Sequence, residues 1–162
     1  MLRSTKWHVK ICGSMSLMSS SITGRIAGVI AIVLGFIVAA VPHYIFPVCQ
    51  YYGMLLETAA GTQVPMKCFW TGNAEIALGA MMIVTGLLLV VSRQKESRML
   101  LGVVLGSLGV MVALVPTYLI GVCAVLDHPC HAGTQPALIL LGVIIIIVAI
   151  ITIAASRGAR QE

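Results

Sequence analysis

Four of the five cysteines stand in two pairs, and each pair brackets a segment between long apolar runs. The pairs are Cys49 with Cys68, and Cys123 with Cys130. If these segments face an oxidising compartment, their even number of thiols suits disulfide bonding, and four thiols allow three pairings. Bonding within each pair would close one loop apiece, and bonding between the pairs remains open. Cys12 precedes the first apolar run and is predicted to be a free thiol.

Thiol–disulfide exchange is a second chemistry open to these cysteines. Four apolar helices with two cysteine pairs on one side resemble, in outline, the quinone-linked membrane enzymes that generate disulfides. However, the chain contains no C-x-x-C, the spacing that lowers a thiol pKa and makes a pair exchangeable. A similar architecture does not by itself imply the same activity. A membrane thiol–disulfide oxidoreductase therefore stays as the alternative to a structural role, and no catalytic residue is assigned.

Metal binding is a third chemistry that these segments could carry. Soft ligands suited to copper or zinc occur in both of them. Their spacing fits no zinc motif, and a histidine beside cysteines in an oxidising compartment is more often a loop residue. We predict no metal site and no cofactor, and copper or zinc binding remains a second alternative. The residues concerned are His43, Met66, Cys68, His128, Cys130 and His131.

The segment that leads to the second cysteine pair repeats an earlier one. Residues 115–123 read V-P-T-Y-L-I-G-V-C, and residues 41–49 read V-P-H-Y-I-F-P-V-C. Over the 22 positions that end in these two runs, an offset of 74 residues gives 11 identities. A second match, at an offset of 63 residues, pairs Thr71 with Thr134. The pattern indicates a duplicated unit of two apolar segments joined by a cysteine-bearing loop.

Apolar residues make up 59% of the 162 residues, and only 15 residues are charged, too few for the surface of a soluble domain. Four continuous apolar runs are each long enough to cross a hydrocarbon core, which takes about 20 helical residues. Their lack of period-two alternation favours helices over barrel strands. The predicted fold class is all-α, a polytopic membrane four-helix bundle of two duplicated helical hairpins. The spans are predicted at about 25–42, 73–92, 99–122 and 136–155, within a transmembrane domain of residues 25–155.

Basic residues predict the orientation. Nine of the ten Lys and Arg lie on one side of the predicted spans, and only Lys67 lies on the other. The positive-inside rule then places the protein in the plasma (inner) membrane with both termini in the cytoplasm and the cysteine loops outside. Residues 1–24 are predicted to be a partly disordered cytoplasmic segment, and residues 156–162 a cytoplasmic tail. The net charge of +5 fits contact with the anionic lipid bilayer and implies no nucleic-acid partner.

Several residues of the spans have predicted structural roles. Glycines such as those of the Gly102-x-x-x-Gly106 motif are expected to let helix backbones approach within one bundle. Pro42 and Pro116 are expected to end their helices, with the tyrosine two residues later at the membrane interface.

Polar residues near the predicted helix starts are interpreted in the same way. Thr71 and Thr134 are predicted N-caps. Glu75 is predicted to be a helix-start charge at the headgroup level, where the helix dipole favours a carboxylate. No other acid or base occurs in a predicted span core, and this disfavours a transporter or a proton relay.

The first loop, roughly 30 residues long, exceeds what a hairpin connection needs, and loops of this length are commonly functional. Phe69 and Trp70 are expected to anchor the interface beside the second span. They are also candidate partner-binding residues, together with Tyr51 and Met66.

The motifs of both loops resemble an uncharacterised family of small four-helix prokaryotic membrane proteins. The resemblance rests on Cys49, the P-M-K-C-F-W-T-G run at 65–72, the I-G-V-C run at 120–123, and Cys130, and it covers about residues 25–155. It brings no activity, cofactor or catalytic residue. It implies a neighbouring membrane protein, such as an exporter permease, as a partner. The predicted function is therefore a non-enzymatic membrane protein with a disulfide-braced outer face, an accessory or binding subunit of a membrane complex.

Overall fold

The computed structural model of the chain describes residues 5–46, 55–57, 59, 61, 63–65, 67–122 and 130–158. Four long helices form a bundle, and the predicted all-α, four-helix fold is confirmed. A small antiparallel pair of strands, β1 (Leu55–Glu57) and β2 (Gln63–Pro65), lies between the first two helices in the chain, with Leu56 opposite Val64. The helices are α1 (Thr5–Ala40), α2 (Lys67–Val91), α3 (Lys95–Leu114) and α4 (Gln135–Gly158).

Helices α1 and α2 begin well before the spans that the sequence predicted. Helix α1 begins at Thr5, where a partly disordered segment was expected, and no proline interrupts the chain from there to Ala40. Helix α2 begins at Lys67 rather than near Asn73, because the polar stretch before the apolar run continues the helix. The residues around Cys68 therefore belong to the first turns of α2.

Three π-helical turns, wider than the α-helix, extend the helices at one end of the bundle. Val41–Ile45 continues α1, Val115–Leu119 continues α3, and Cys130–Thr134 leads into α4. We call this end, which carries Cys68 and Cys130, the cysteine end. The opposite end, where α2 stops and α3 begins, is called the basic end.

Glycines hold the two helices of each hairpin in backbone contact. A Cβ atom at Gly79 of α2 would lie 2.6 Å from the carbonyl oxygen of Gly35 in α1. In the second hairpin, a Cβ atom at Gly142 of α4 would lie 2.8 Å from the carbonyl oxygen of Gly109 in α3. Both distances are too short for any side chain, so close packing requires glycine. The expected packing through glycines is confirmed at Gly35, Gly102 and Gly109, but Gly106 makes no close approach, since a Cβ atom there would meet Ala149 at an ordinary 3.4 Å.

A core of aliphatic side chains fills the space between the two hairpins. Each helix contributes fully buried residues, while much of the outer surface of the helices is also apolar. Such a helix, apolar on its inner and outer faces, is typical of membrane spans. Buried core residues include Val38, Met82, Leu105, Val112, Leu138 and Ile145.

Arg98 closes the basic end of the bundle. Its Nε and Nη2 atoms donate hydrogen bonds of 3.0 and 2.7 Å to the carbonyl oxygen of Ser92, just beyond the last residue of α2. Its side chain packs over Gly24 of α1, where a Cβ atom would lie 3.0 Å from Cδ. A cation at a helix C-terminus satisfies its last carbonyls and the helix dipole. Arg98 is only 3% exposed, and it lies at the end of the bundle, one residue before the predicted third span.

The lengths and composition of the helices are those of a multi-pass membrane protein. Four helices are long and apolar enough to cross a membrane, and each contains a window of mean hydropathy 2.3 or more. The four candidate spans cover Ile22–Ile45, Lys67–Val91, Lys95–Leu119 and Cys130–Arg157.

Candidate functional site

The cysteine end carries two of the four predicted disulfide residues. Cys68 and Cys130 are each fully buried, at the start of α2 and in the turn before α4. Thr71 and Thr134 follow them by about one turn and are also fully buried. The second cysteine and threonine are four residues apart rather than three, and the wider π-helical turn accommodates the extra residue.

The two threonines join the hairpins to each other. Thr71 Oγ1 of α2 donates a hydrogen bond of 2.7 Å to the carbonyl oxygen of Gly121, which follows α3. Thr134 Oγ1, before α4, donates a hydrogen bond of 3.1 Å to the carbonyl oxygen of Phe46, which follows α1. Each hairpin therefore donates one bond to the other. The N-cap prediction is wrong for both residues, because their hydroxyls donate across the bundle instead of accepting from their own helix.

The two prolines redirect their helices without ending them at once. Pro42 and Pro116 are buried near the start of π-helical turns, which close with hydrogen bonds from Phe46 N to Val41 O and from Ile120 N to Val115 O. Proline lacks the N–H that an α-helix needs, and its ring collides with the preceding turn, so a wider turn relieves both problems. The predicted helix end is thus displaced by one turn. That turn also positions the carbonyls that accept from the threonines.

The tyrosines of the two V-P-x-Y motifs point away from the bundle. Tyr44 and Tyr118 are 87% and 86% exposed. An interface anchor requires this outward position, with the ring against lipid and the hydroxyl near water.

The burial of Glu75 was not predicted from the sequence. It is the ninth residue of α2, fully buried, and in the described part of the chain neither of its carboxyl oxygens has a hydrogen-bond partner. Because α2 begins at Lys67, Glu75 lies about 12 Å along the helix from its start. The prediction of a charge at the start of the helix is therefore wrong.

A sequence signal for this burial did exist. Glu75 lies three residues after Gly72 and four before Gly79, on the stripe of small residues that packs against α1. Residues at this spacing share one helix face. Position 138, which matches Glu75 at the offset of 63 residues, holds a fully buried leucine.

Two of the other predicted site residues lie in the described part of the chain. Phe69 and Trp70 lie in the first turn of α2 with their rings edge to face, 5.7 Å apart, and Trp70 is 57% exposed. Cys49, Cys123, Tyr51 and Met66 lie outside the described residues.

Metal ligands do not gather in the described part of the chain. No three side chains among its His, Cys, Asp and Glu residues form a group that could hold an ion. His43 and His131 lie on π-helical turns at the cysteine end, each half-buried. Met66, Cys123 and His128 lie outside the described residues, so copper or zinc binding stays an untested alternative to the predicted absence of a metal site.

Residues 31–155 match a family described as "Domain of unknown function (DUF4418)". The expected resemblance to an uncharacterised family is confirmed by this match. The chain has no match among curated proteins or among solved structures.

Proposed function

Because this chain belongs to the DUF4418 family, whose function is unknown, we propose a function from the geometry of its cysteine end. We propose a non-enzymatic integral membrane protein whose extracytoplasmic face is braced by disulfides. It acts as an accessory or binding subunit of a membrane complex. The observation that carries this proposal is the complete burial of Cys68 and Cys130 beside the threonines that join the hairpins.

Burial separates a structural cysteine from a redox-active one. In thiol–disulfide exchange an incoming thiolate must reach a sulfur atom, and reactive cysteines are partly exposed. Cys68 and Cys130 have no exposed surface. They lie against helix ends that are already linked through Thr71 and Thr134. This setting favours a permanent brace over an exchangeable pair.

We propose pairing within each hairpin, Cys49 with Cys68 and Cys123 with Cys130. The threonine hydrogen bonds already join one hairpin to the other, but they do not hold the two loops. Disulfide bonds within each hairpin would fix these loops. Each bridge would stabilise the fold by about 2 to 4 kcal/mol. Pairing between the hairpins is the alternative that peptide mapping distinguishes.

The partner is proposed to be another membrane protein, such as an exporter permease, that contacts the cysteine end. Exposed Trp70 lies on the first turn of α2 and offers the aromatic surface that is enriched at protein interfaces. Phe69 packs against its edge and limits its movement. Tyr51 and Met66 complete the proposed contact set.

The test uses purified full-length protein, alkylated without reduction and mapped by mass spectrometry. We expect disulfide-linked peptides for both pairs and alkylation at Cys12. Replacing Cys68 or Cys130 by serine should lower the free energy of unfolding by about 2 to 4 kcal/mol, whereas Cys12→Ser should leave it unchanged.

The same variants test the oxidoreductase alternative. A structural cysteine pair traps no thiol partner when one of its members is replaced. A mixed disulfide recovered from Cys68→Ser or Cys130→Ser, or quinone reduction by the purified protein, would overturn the proposal in favour of a membrane thiol–disulfide oxidoreductase. Reduced thiols at all four positions in the purified protein would also contradict it.

A further inference from the structure

The buried carboxyl group of Glu75 does not stabilise the fold. Leu138 occupies the matching position of the second hairpin and is equally buried, so the bundle accommodates a hydrocarbon at this position. An acid that lacks hydrogen bonds costs stability relative to an apolar side chain in the same place. An ionisable residue inside a membrane span is, for this reason, a candidate for function.

In the described part of the chain, no buried cation compensates Glu75. Arg98 interacts with Ser92, which lies about 25 Å further along α2, at the basic end. Among the described residues, seven other titratable side chains lie on α2 or on the neighbouring turns, and none of them forms a hydrogen bond with either oxygen of Glu75. These are His43 and Tyr44 after α1, Lys67 and Cys68 on α2, Tyr118 after α3, and Cys130 and His131 before α4.

We propose that Glu75 is a proton-binding site inside the membrane span, which holds its proton while the bundle is closed and exchanges it with water at the cysteine end. An isolated carboxylate in an apolar interior is far more costly than the neutral acid, and no described group supplies a compensating charge. The ligand is thus a proton, taken from water when the acid forms and returned to water when the carboxylate forms.

The cysteine end is the shorter route for that proton. Glu75 lies about 12 Å from the start of α2, and about 24 Å from its other end at Val91. Thr71, one turn above Glu75 on the same face, bonds to the carbonyl of Gly121 and closes the seam between the hairpins. Opening this seam would admit water to Glu75, so Thr71 is a positioning residue that controls access.

Infrared spectroscopy of the purified full-length protein in lipid vesicles tests the protonation state directly. At neutral pH solvent-exposed carboxyl groups are ionised, whereas a protonated acid has a separate C=O stretching band. We expect this band in the wild type and its loss in both Glu75→Gln and Glu75→Leu. Two variants are used so that one misfolded protein does not decide the result. Absence of the band from the wild type, or its persistence in a folded variant, would overturn the proposal.

Transfer to D₂O tests the route, because deuteration shifts the same band at a rate that depends on water access. Thr71→Val removes the bond to Gly121 and should speed the shift about five-fold, the factor that corresponds to a lost hydrogen bond of about 1 kcal/mol. Thr85→Val is the matched control, because that hydroxyl bonds to the Met81 carbonyl within its own helix. Equal rates of deuteration in the two variants would show that water does not reach Glu75 through this seam.

Discussion

Single side chains decide the chemistry of the cysteine end. Cys68 and Thr71 share a buried face of α2, so a proposed covalent brace and an observed hydrogen bond act on the same helix end. Glu75, one turn further in, is the exception to this stabilising pattern. Its carboxyl group is buried among residues that give it no partner in the described structure.

Replacing Glu75 by the residue at its matched position should stabilise the protein. We expect Glu75→Leu to raise the free energy of unfolding by about 1 to 3 kcal/mol, because it removes the penalty of a buried polar group without a partner. For a chain of this length the melting temperature should rise by about 2 to 4 °C per kcal/mol. Thermal unfolding in detergent measures this change in melting temperature.

The reverse exchange, Leu138→Glu, is the control for Glu75→Leu. It should destabilise the protein, since it buries a second carboxyl group at an apolar position. Lower stability of Glu75→Leu than of the wild type would mean that Glu75 contributes to the fold and would contradict our account of its cost.

At the scale of elements, each hairpin is a pair of helices in backbone contact. π-Helical turns extend α1 and α3 at their C-terminal ends and α4 at its N-terminal end. Helix association in lipid lacks the hydrophobic drive that water supplies, so close packing at small residues becomes important. The turns that contain Pro42 and Pro116 then extend the first helix of each hairpin to the carbonyl that the other hairpin binds.

Gly79 offers a test of the helix contact in the first hairpin. We expect Gly79→Ala to lower the free energy of unfolding by about 1 to 3 kcal/mol, because its methyl group would overlap the Gly35 carbonyl oxygen. Gly106→Ala is the matched control, since a Cβ atom there meets Ala149 at an ordinary distance of 3.4 Å. The control should be neutral or slightly stabilising, because alanine favours helix. Equal losses in the two variants would contradict this assignment of the contact.

At the scale of the whole molecule, the two hairpins make matching contacts. Gly35 with Gly79 corresponds to Gly109 with Gly142, and the two threonine bonds are reciprocal. We interpret these pairs as support for a duplicated unit whose halves are related by a pseudo-twofold axis along the membrane normal. The positive-inside rule then predicts which end of that axis faces the cytoplasm.

Cysteine labelling in intact cells tests that orientation. In a Cys12→Ser background, Gln94→Cys places an exposed thiol at the basic end, which should react with a membrane-impermeant reagent only after the cells are opened. A thiol at Glu57→Cys, an exposed position between α1 and α2, should react from outside in intact cells. Labelling of Gln94→Cys in intact cells would reverse the predicted topology.

The sequence by itself determined the number of spans, the class of fold and the family resemblance. A membrane requires long uninterrupted apolar runs, and these are visible in composition without any knowledge of packing. The glycine contacts were predictable for the same reason, since a backbone approach in lipid needs a residue without a side chain.

Only the tertiary structure decided the setting of Glu75 and the roles of Thr71 and Thr134. Because α2 begins six residues before the predicted span, Glu75 lies more than two turns inside the helix and is buried in the bundle, and hydropathy alone does not show this. The threonine bonds join residues 50 and 88 positions apart in the chain. Local preference predicts a cap at such a threonine, but its acceptor depends on how the π-helical turns place the carbonyls of the opposite hairpin.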